Sequence, residues 1–256
     1  MTHPWFRASA RPRVLAHRGF VPPEAREVVE NSFAAFAAAH ALGAVYVESD
    51  CHLTADGEVV LVHDADLGRV LGDPRPVSEV GAGELERLMA DCGGLVTLAQ
   101  ALTAFPTLRF NLDVKVPAAA VPVGRLAARH ADRVLITSFS DQRRRTALEA
   151  AWALGGEPAT SAGSATVARV LAAAVTRSSA LVGRALRGVD ALQVPERHGV
   201  PIVTRGFVQA VHRHGVEVHV WTVNEPADMH RLLELGVDGL VTDRADMALA
   251  TVRARL

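Results

Sequence analysis

The sequence predicts an α/β protein of the (β/α)₈ barrel class, with a small insertion after the second strand. Three observations favour this fold. The chain has 256 residues, close to the roughly 250 that are typical of one such barrel. Eight short apolar segments with strand character are each followed by a segment with helical periodicity. No glycine-rich loop follows the first strand, which argues against an open doubly wound sheet that binds a dinucleotide.

The predicted strands are short, three to seven residues each. They span residues 14–16, 45–50, 109–114, 134–137, 159–162, 189–194, 217–223 and 238–241. Asparagine favours the first position of a helix, and glycine favours the position after its end. We therefore expect Asn31 and Asn224 to cap the helices that follow the first and seventh strands, and Gly43 and Gly236 to end them.

One long segment, residues 51–95, interrupts the alternation between the second strand and its helix. It contains a turn at residues 56–57, an extended run at 58–62 and a short helix near 84–90. A structured insertion at the carboxyl end of a barrel strand overhangs the face where such barrels hold their active sites. The sequence shows neither a Pro/Ser-rich linker nor an internal repeat, so residues 1–256 are predicted to form a single domain.

Composition excludes several classes of protein. The chain has 27 basic and 28 acidic residues, a formal net charge of −1, whereas nucleic acid is held by an excess of positive charge. Cys51 and Cys92 are too few for a disulfide framework. With neither a secretory signal nor a membrane-length apolar segment visible, we expect a soluble, cytoplasmic protein with a small-molecule substrate. A homodimer is left open.

Polar residues cluster where a barrel would hold its active site. The candidates at strand ends are His17, Arg18, Glu48, Asp50, Asp113, Lys115 and Trp221. Residues two apart on a strand share a face, so Glu48, Asp50 and Asp113 are expected to converge. Three carboxylates this close repel one another unless a cation lies among them. Oxygen ligands suit Mg²⁺ or Ca²⁺ better than zinc, so we expect one such divalent cation.

Lys115 is the only lysine of a chain that is rich in arginine. Because a compact ammonium and a planar guanidinium are not interchangeable, a lone lysine near these carboxylates indicates a specific role. Arginines on predicted helices, such as Arg144 and Arg213, are expected to lie on the surface and to tolerate lysine.

Five stretches of the sequence resemble the glycerophosphodiester phosphodiesterase family. They read LAHRGF, ENSFAAFAAAHALGA, VESDCHLTADGEVVLVHDADLGRV, NLDVK and VHVWTVNEPADMHRLLELGVDGLVTD. The resemblance runs from about residue 14 to residue 247 in the order of the family, and it includes the insertion. It implies a TIM barrel that hydrolyses glycerophosphodiesters to sn-glycerol 3-phosphate and an alcohol with a divalent cation.

The same resemblance implies roles for individual residues. His17 and His63 would be the catalytic acid/base pair. The metal would be bound by Glu48, Asp50 and Asp113, and the substrate would be contacted by Arg18, Lys115 and Trp221.

Two positions depart from the pattern of the family. Val29 stands where the family usually has proline, and Asp113 stands where it usually has glutamate. The shorter side chain of Asp113 leaves the choice between Ca²⁺ and Mg²⁺ open. The preferred alcohol is also open, as is direct attack by water against a cyclic intermediate.

Two alternative functions stay open as well. One is a phospholipase D-like lyase that forms a cyclic phosphate from a lysophospholipid or sphingolipid. The other is a non-catalytic barrel that binds a metal and a polyol phosphate.

Overall fold

The computed structural model describes residues 3–7 and 11–255. Most of its strands belong to one parallel sheet. The strands are β1 (Arg13–His17), β2 (Tyr46–Leu53), β3 (Val59–Leu61), β4 (Arg109–Val114), β5 (Val134–Thr137), β6 (Ala159–Thr160), β7 (Ala191–Pro195), β8 (Arg197–His198), β9 (Val200–Pro201), β10 (Glu217–Trp221) and β11 (Gly239–Thr242).

Helices connect these strands. They are α1 (Phe33–Ala41), α2 (Gly68–Leu71), α3 (Ala82–Met89), α4 (Leu98–Ala104), α5 (Ala120–Ala128), α6 (Asp141–Trp152), α7 (Ser164–Val175), α8 (Ser179–Ala185), α9 (Arg205–His212), α10 (Pro226–Leu235) and α11 (Ala245–Arg253). Short 3₁₀ segments, among them Pro4–Arg7, supplement them.

Eight parallel strands form a nearly closed barrel. Their order is β6-β5-β4-β2-β1-β11-β10-β7. Just past β6, Ser161 makes a parallel bridge to Ala191 of β7, and Ala162 donates its backbone N–H to the Ala191 carbonyl at 3.0 Å. These contacts bring the two ends of the sheet together. All eight predicted barrel strands are present, and the predicted fold class is confirmed.

Two predicted helix caps are wrong. Helix α1 is capped by Ser32, whose Oγ accepts the backbone N–H of Ala35 at 3.1 Å, while Asn31 is buried and turned toward the barrel. Helix α10 begins after Glu225, and Asn224 bonds instead to residues after β11. In both cases the asparagine satisfies a buried or charged partner that sequence spacing alone does not reveal.

A further expectation fails at α6, where the predicted surface residue Arg144 is 7% exposed. Its Nη1 donates to Thr160 Oγ1 at 3.2 Å. Arg213 is exposed, as expected. Helix α8 and the β8–β9 hairpin were not predicted.

The two faces of the barrel sheet pack into separate apolar cores. The larger core lies between the strands and the surrounding helices. The smaller one fills the barrel interior with alternate strand residues and with the 3₁₀ segment at the amino end: Trp5, Phe6, Leu15, Tyr46, Leu135, Ala159, Ala191 and Val241. Because side chains alternate along a strand, the next inward-facing positions toward the carboxyl ends carry polar residues.

A buried charge cluster lies at the amino ends of the strands. Arg13 donates from Nε and Nη2 to the two carboxylate oxygens of Glu217, both at 2.8 Å, and His219 Nε2 lies 3.1 Å from Glu217 Oε2. Trp5 covers this end, fully buried, and donates from Nε1 to the Phe110 carbonyl at 3.1 Å.

The insertion begins where β2 extends past the barrel. Strand β3 pairs antiparallel with the last residues of β2, which places the segment at the carboxyl end. Its own apolar cluster joins β3 to α3 through Val60, Leu67, Val77, Val80, Leu85 and Met89. The single-domain assignment stays a prediction.

Within residues 3–7 and 11–255, no helix has both the length and the apolar character needed to cross a membrane. The cytoplasmic location and the oligomeric state stay predictions from the sequence.

Candidate active site

A cavity of about 640 Å³ opens at the carboxyl ends of the barrel strands. All eight residues that the sequence singles out line it: His17, Arg18, Glu48, Asp50, His63, Asp113, Lys115 and Trp221. Seven of them come from strands or from the residues that directly follow, whereas His63 comes from the insertion. The structure therefore brings the predicted set together, while the role of each residue is a separate question.

The turn after β1 is held in an unusual backbone conformation. Arg18 has φ 57° and Gly19 has φ 86°, in the left-handed region that side chains disfavour. A Cβ on Gly19 would come within 2.8 Å of the Ala35 carbonyl carbon, so only glycine fits. Arg18 donates its backbone N–H to the Glu48 carbonyl at 2.9 Å. This turn joins β1 to β2 at the floor of the cavity, beside the carboxylates.

Lys115 pairs with two of the three carboxylates. Its Nζ lies 2.7 Å from Asp113 Oδ2 and 2.9 Å from Asp50 Oδ1. Burial alone would raise the pKa of Asp50, but the charges of Lys115 and Arg18 outweigh it and lower that pKa. For Asp113, burial outweighs the attraction of Lys115 and raises the pKa. The ammonium thus neutralises the pair only in part.

Within the described residues Glu48 has no lysine or arginine at ion-pair distance, and its ion-pair partner is His17, whose Nε2 lies 3.8 Å from Glu48 Oε2. Burial, together with the charge of Asp50, raises the pKa of Glu48 to about 8. Its Oε2 is buried and receives no hydrogen bond, and the same holds for Asp113 Oδ1 and Asn111 Oδ1. Buried acceptors without a donor are costly, so these three oxygens are unsatisfied acceptors of the kind that a bound donor or cation relieves.

A hard divalent cation suits these unsatisfied oxygens by chemistry, because oxygen-only donors are what Mg²⁺ and Ca²⁺ prefer. Among the described residues, however, no three His, Cys, Asp or Glu side chains are spaced to hold a metal ion. Lys115 lies between Asp50 and Asp113, where it serves as their counterion. The donor types therefore fit a cation.

His17 belongs to a chain of hydrogen bonds. Its Nδ1 lies 2.6 Å from Asp243 Oδ1, and Asn224 Nδ2 donates to Asp243 Oδ2 at 2.7 Å. Burial would lower the pKa of His17, but the bond to Asp243 and the charge of Glu48 together raise it. Since an ionised carboxylate only accepts hydrogen bonds, Asp243 keeps a proton on Nδ1, while Nε2 lies 3.8 Å from Glu48 Oε2.

His63 is held in the same manner from the insertion. Its Nδ1 lies 2.6 Å from Asp64 Oδ1, and Arg69 Nε donates to Asp64 Oδ2 at 2.6 Å. Arg69 Nη2 also donates to Glu30 Oε1 at 2.5 Å, and Arg18 Nη1 reaches the same oxygen at 2.8 Å. A line of ion pairs thus connects the insertion to the turn after β1.

Sequence reasoning missed several of these supporting residues. Asn31 donates from Nδ2 to Asp50 Oδ2 at 3.0 Å and accepts from Ser49 Oγ at 2.6 Å, so it orients a carboxylate rather than capping a helix. Asp243 follows the last strand, and its role as the partner of His17 depends on a contact between residues 226 positions apart. Glu30 and Arg69 carried no signal, because their partners are distant in the chain.

Trp221 lies on another side of the cavity, with Phe139. Their rings meet edge to face with centroids 5.7 Å apart, and Lys115 Nζ lies 5.8 Å from the centroid of the Phe139 ring. Trp221 thus lines the cavity, and within the described residues it makes no hydrogen bond to any of the three carboxylates.

The barrel and the charged cavity at its carboxyl end define a (β/α)₈-barrel enzyme. A model of the glycerophosphoryl diester phosphodiesterase family matches residues 17–247. The chain belongs to this family, whose members are phosphoric diester hydrolases. The resemblance noted in the sequence is confirmed.

Individual relatives agree with this assignment. A probable glycerophosphodiester phosphodiesterase 2 of Mycobacterium tuberculosis is 38% identical over 246 residues, which cover 94% of this chain and 90% of that protein. The crystal structure of a glycerophosphodiester phosphodiesterase from Thermotoga maritima has a TM-score of 0.70 at 24% identity and covers 94% of this chain and 99% of that one. An Oleispira antarctica phosphodiesterase, solved in complex with the product sn-glycerol-3-phosphate, has a TM-score of 0.68 at 21% identity, with 95% and 97% covered.

Proposed function

We propose that this chain hydrolyses glycerophosphodiesters to sn-glycerol 3-phosphate and an alcohol, with the help of one Ca²⁺ or Mg²⁺. The observation that carries the proposal is that two histidines, each bonded through Nδ1 to a carboxylate, line one cavity with Arg18 and Lys115. The product bound to the Oleispira antarctica enzyme supports the same reaction.

The substrate phosphate needs positive charge around it, because a phosphodiester resists attack until its negative charge is neutralised. Arg18 and Lys115 would contact its oxygens, and such charge-assisted hydrogen bonds are the strong ones. Arg18 Nε is buried without a hydrogen bond, although it lies 3.2 Å from Asp50 Oδ2. Arg18 therefore keeps one guanidinium donor that no hydrogen bond uses.

Glu48, Asp50 and Asp113 would hold the divalent cation. When bound there, it would supply further charge stabilisation to the phosphoryl oxygens. The unsatisfied oxygens of Glu48 and Asp113 support this assignment. Asp113 reaches about one methylene less far than the glutamate that is usual in the family. The proposal therefore covers both Ca²⁺ and Mg²⁺, and the experiment below compares them.

His17 and His63 would move the protons. With Nδ1 committed to a carboxylate, each ring has Nε2 left for a reacting oxygen, and imidazole titrates near neutral pH. One histidine would take a proton from the attacking oxygen nucleophile, either water or a glycerol hydroxyl whose cyclic phosphate water then opens, and the other would give a proton to the leaving alcohol. Arg69 and Glu30 would act as positioning residues for His63, because they tie Asp64 to Arg18.

The test is steady-state hydrolysis of glycerophosphocholine, with products identified by phosphorus NMR. The enzyme is first chelated and then supplied with Ca²⁺ or Mg²⁺. We expect glycerol 3-phosphate, turnover only with added ion, and loss of turnover in His17→Ala and His63→Ala. His40→Ala is the matched control, because His40 is exposed on α1 and bonds to Thr107.

Other results would select the alternatives. A cyclic phosphate as the final product would indicate the lyase. Tight binding of glycerol 3-phosphate without turnover on any diester would indicate a binding protein. Full turnover after exhaustive chelation would refute the role of the cation.

A further inference from the structure

The mouth of the barrel is divided into two halves of opposite character. The charged residues come from β1, β2 and β4, which are neighbours in the barrel order. The residues contributed after β5, β6 and β7, and by the end of β10, are mainly apolar, and these strands also follow one another around the ring. Because the ring is nearly closed, the charged and apolar halves face each other across the cavity.

The apolar half consists of Phe139, Ala162, Val167, Leu171, Ile202 and Trp221. Val167 and Leu171 are four apart on α7 and therefore share one face of that helix. Phe139 is 58% exposed, which is unusual for a large apolar side chain that packs against another aromatic ring. An apolar surface that remains in contact with water gains free energy when an apolar ligand covers it.

The charge distribution limits what can bind there. Within the described part of the chain, the carboxylates that line the cavity are Glu48, Asp50 and Asp113, all on the charged half. Lys115 Nζ lies 5.8 Å from the Phe139 ring centroid and is paired with Asp50 and Asp113. A quaternary ammonium group beside Phe139 would meet this ammonium and would find no carboxylate on its own side.

We infer that the apolar half binds the hydrocarbon part of the leaving alcohol, so that the preferred substrates are glycerophosphodiesters of uncharged alcohols that carry a hydrocarbon chain. This inference rests on the proposed function, because the phosphate must lie on the charged half. The glycerol of the product is a polyol and needs hydrogen bonds, which Asn111, Thr137 and Gln193 offer from the strands themselves, before the loops that carry the apolar half. The hydrocarbon chain of the leaving alcohol needs no hydrogen bonds and is therefore the part of the substrate that suits the apolar half.

The test compares kcat/KM along a series of soluble substrates, the glycerophosphodiesters of ethanol, butanol and hexanol. Burial of each methylene is expected to raise kcat/KM by about two- to fourfold, and thus roughly 15-fold or more from the ethyl to the hexyl ester. Glycerophosphocholine is expected to fall below the butyl ester. A butyl ether on the glycerol of glycerophosphoethanol places the chain on the other side of the phosphate and is expected to give no gain.

Two variants on the same helix connect the effect to the apolar half. Leu171→Asn is expected to reduce the ratio of hexyl to ethyl kcat/KM to below about threefold, since a single buried leucine accounts for that order of discrimination. Val175→Asn is the control, because Val175 is 84% exposed and lies outside the cavity. It should keep the parent ratio. Phe139→Ser serves as a second variant if Leu171→Asn fails to fold.

The outcomes separate the two proposals. Turnover with a flat chain-length series, a gain from the glycerol ether equal to that of the hexyl ester, or glycerophosphocholine above the butyl ester would each overturn this inference and leave the proposed function standing. An absence of turnover on every diester would overturn the proposed function and, with it, this inference.

Discussion

Both ends of the barrel interior contain buried carboxylates, but the carboxylates at the two ends differ in how many hydrogen bonds they receive. At the amino end, Glu217 receives two bonds from Arg13 and one contact from His219. At the carboxyl end, Glu48 Oε2 and Asp113 Oδ1 are buried without a donor. The pKa values follow this difference. Burial opposes ionisation of Glu217, yet Arg13 and His219 lower its pKa to about 2, whereas burial and Asp50 raise the pKa of Glu48 to about 8.

This difference indicates that the amino ends of the strands serve stability and their carboxyl ends serve ligand binding. Charge at the amino end is satisfied within the protein, so that it contributes to the native structure. Charge at the carboxyl end is left incomplete, which costs stability and leaves acceptors for a ligand. Substitutions at the two ends should therefore separate activity from stability, and the following predictions test this.

The largest effect is expected from His17 at the carboxyl end. His17→Ala should lower kcat by roughly 10²- to 10⁴-fold, the usual contribution of a general acid or base. The free energy of unfolding should change less than in the amino-end variant below, because the ring lines the cavity and its partner Asp243 is half exposed. Urea unfolding and steady-state kinetics on the same preparation measure both quantities. Parent-like turnover would remove His17 from the proposed mechanism.

The matching substitution at the amino end is Glu217→Gln. It should reduce the free energy of unfolding by about 3–5 kcal/mol, because the buried Arg13 guanidinium loses its carboxylate. The kcat of the folded fraction should stay within about twofold of the parent. A large loss of kcat at unchanged stability would contradict the division between the two ends.

The pH dependence of stability should have opposite signs at the two ends. The pKa of folded Glu217 is about 2, below its ordinary 4.5, so its stabilisation, about 3 kcal/mol, is present above pH 4.5 and is lost as the pH falls through 2. The pKa of folded Glu48 is about 8, above 4.5, so stability should fall as the pH rises between these values when ions are chelated.

Urea unfolding at a series of pH values, with a chelator present, measures these two contributions. Glu217→Gln should flatten the acidic side of the profile, and Glu48→Gln should flatten the side between pH 4.5 and 8. The interpretation is wrong if Glu217→Gln changes the profile between pH 4.5 and 8, or if Glu48→Gln changes its acidic side.

The smallest effect is expected from Lys115→Arg, which preserves charge. The guanidinium is too wide for the place between Asp50 and Asp113, so kcat/KM should fall roughly ten- to a hundredfold, or about 1.5–3 kcal/mol. Arg213→Lys on an exposed helical end is the control and should match the parent. Arg144 cannot serve as a control, because it is buried. Parent-like kinetics of Lys115→Arg would mean that the lysine has no special role.

The sequence predicted the strands and the cavity residues at their ends better than the residues that hold those side chains in place. Strand-end residues such as Glu48 and Asp113 could be placed, because period-two alternation and parallel pairing determine where they point. Asn31 and Asn224 were misassigned, because local capping preference competes with partners brought in by the fold. The link from Arg69 to Glu30 joins residues 39 positions apart, and no local pattern encodes such a contact.

The insertion, which carries His63, Asp64 and Arg69 on a segment with its own apolar cluster, has a consequence for how such enzymes diversify. A loop of this kind can be exchanged between barrels as a cassette that brings a histidine and its carboxylate partner together. The surroundings of one cavity histidine are therefore written in a single stretch of sequence, whereas those of His17 are drawn from separate strands.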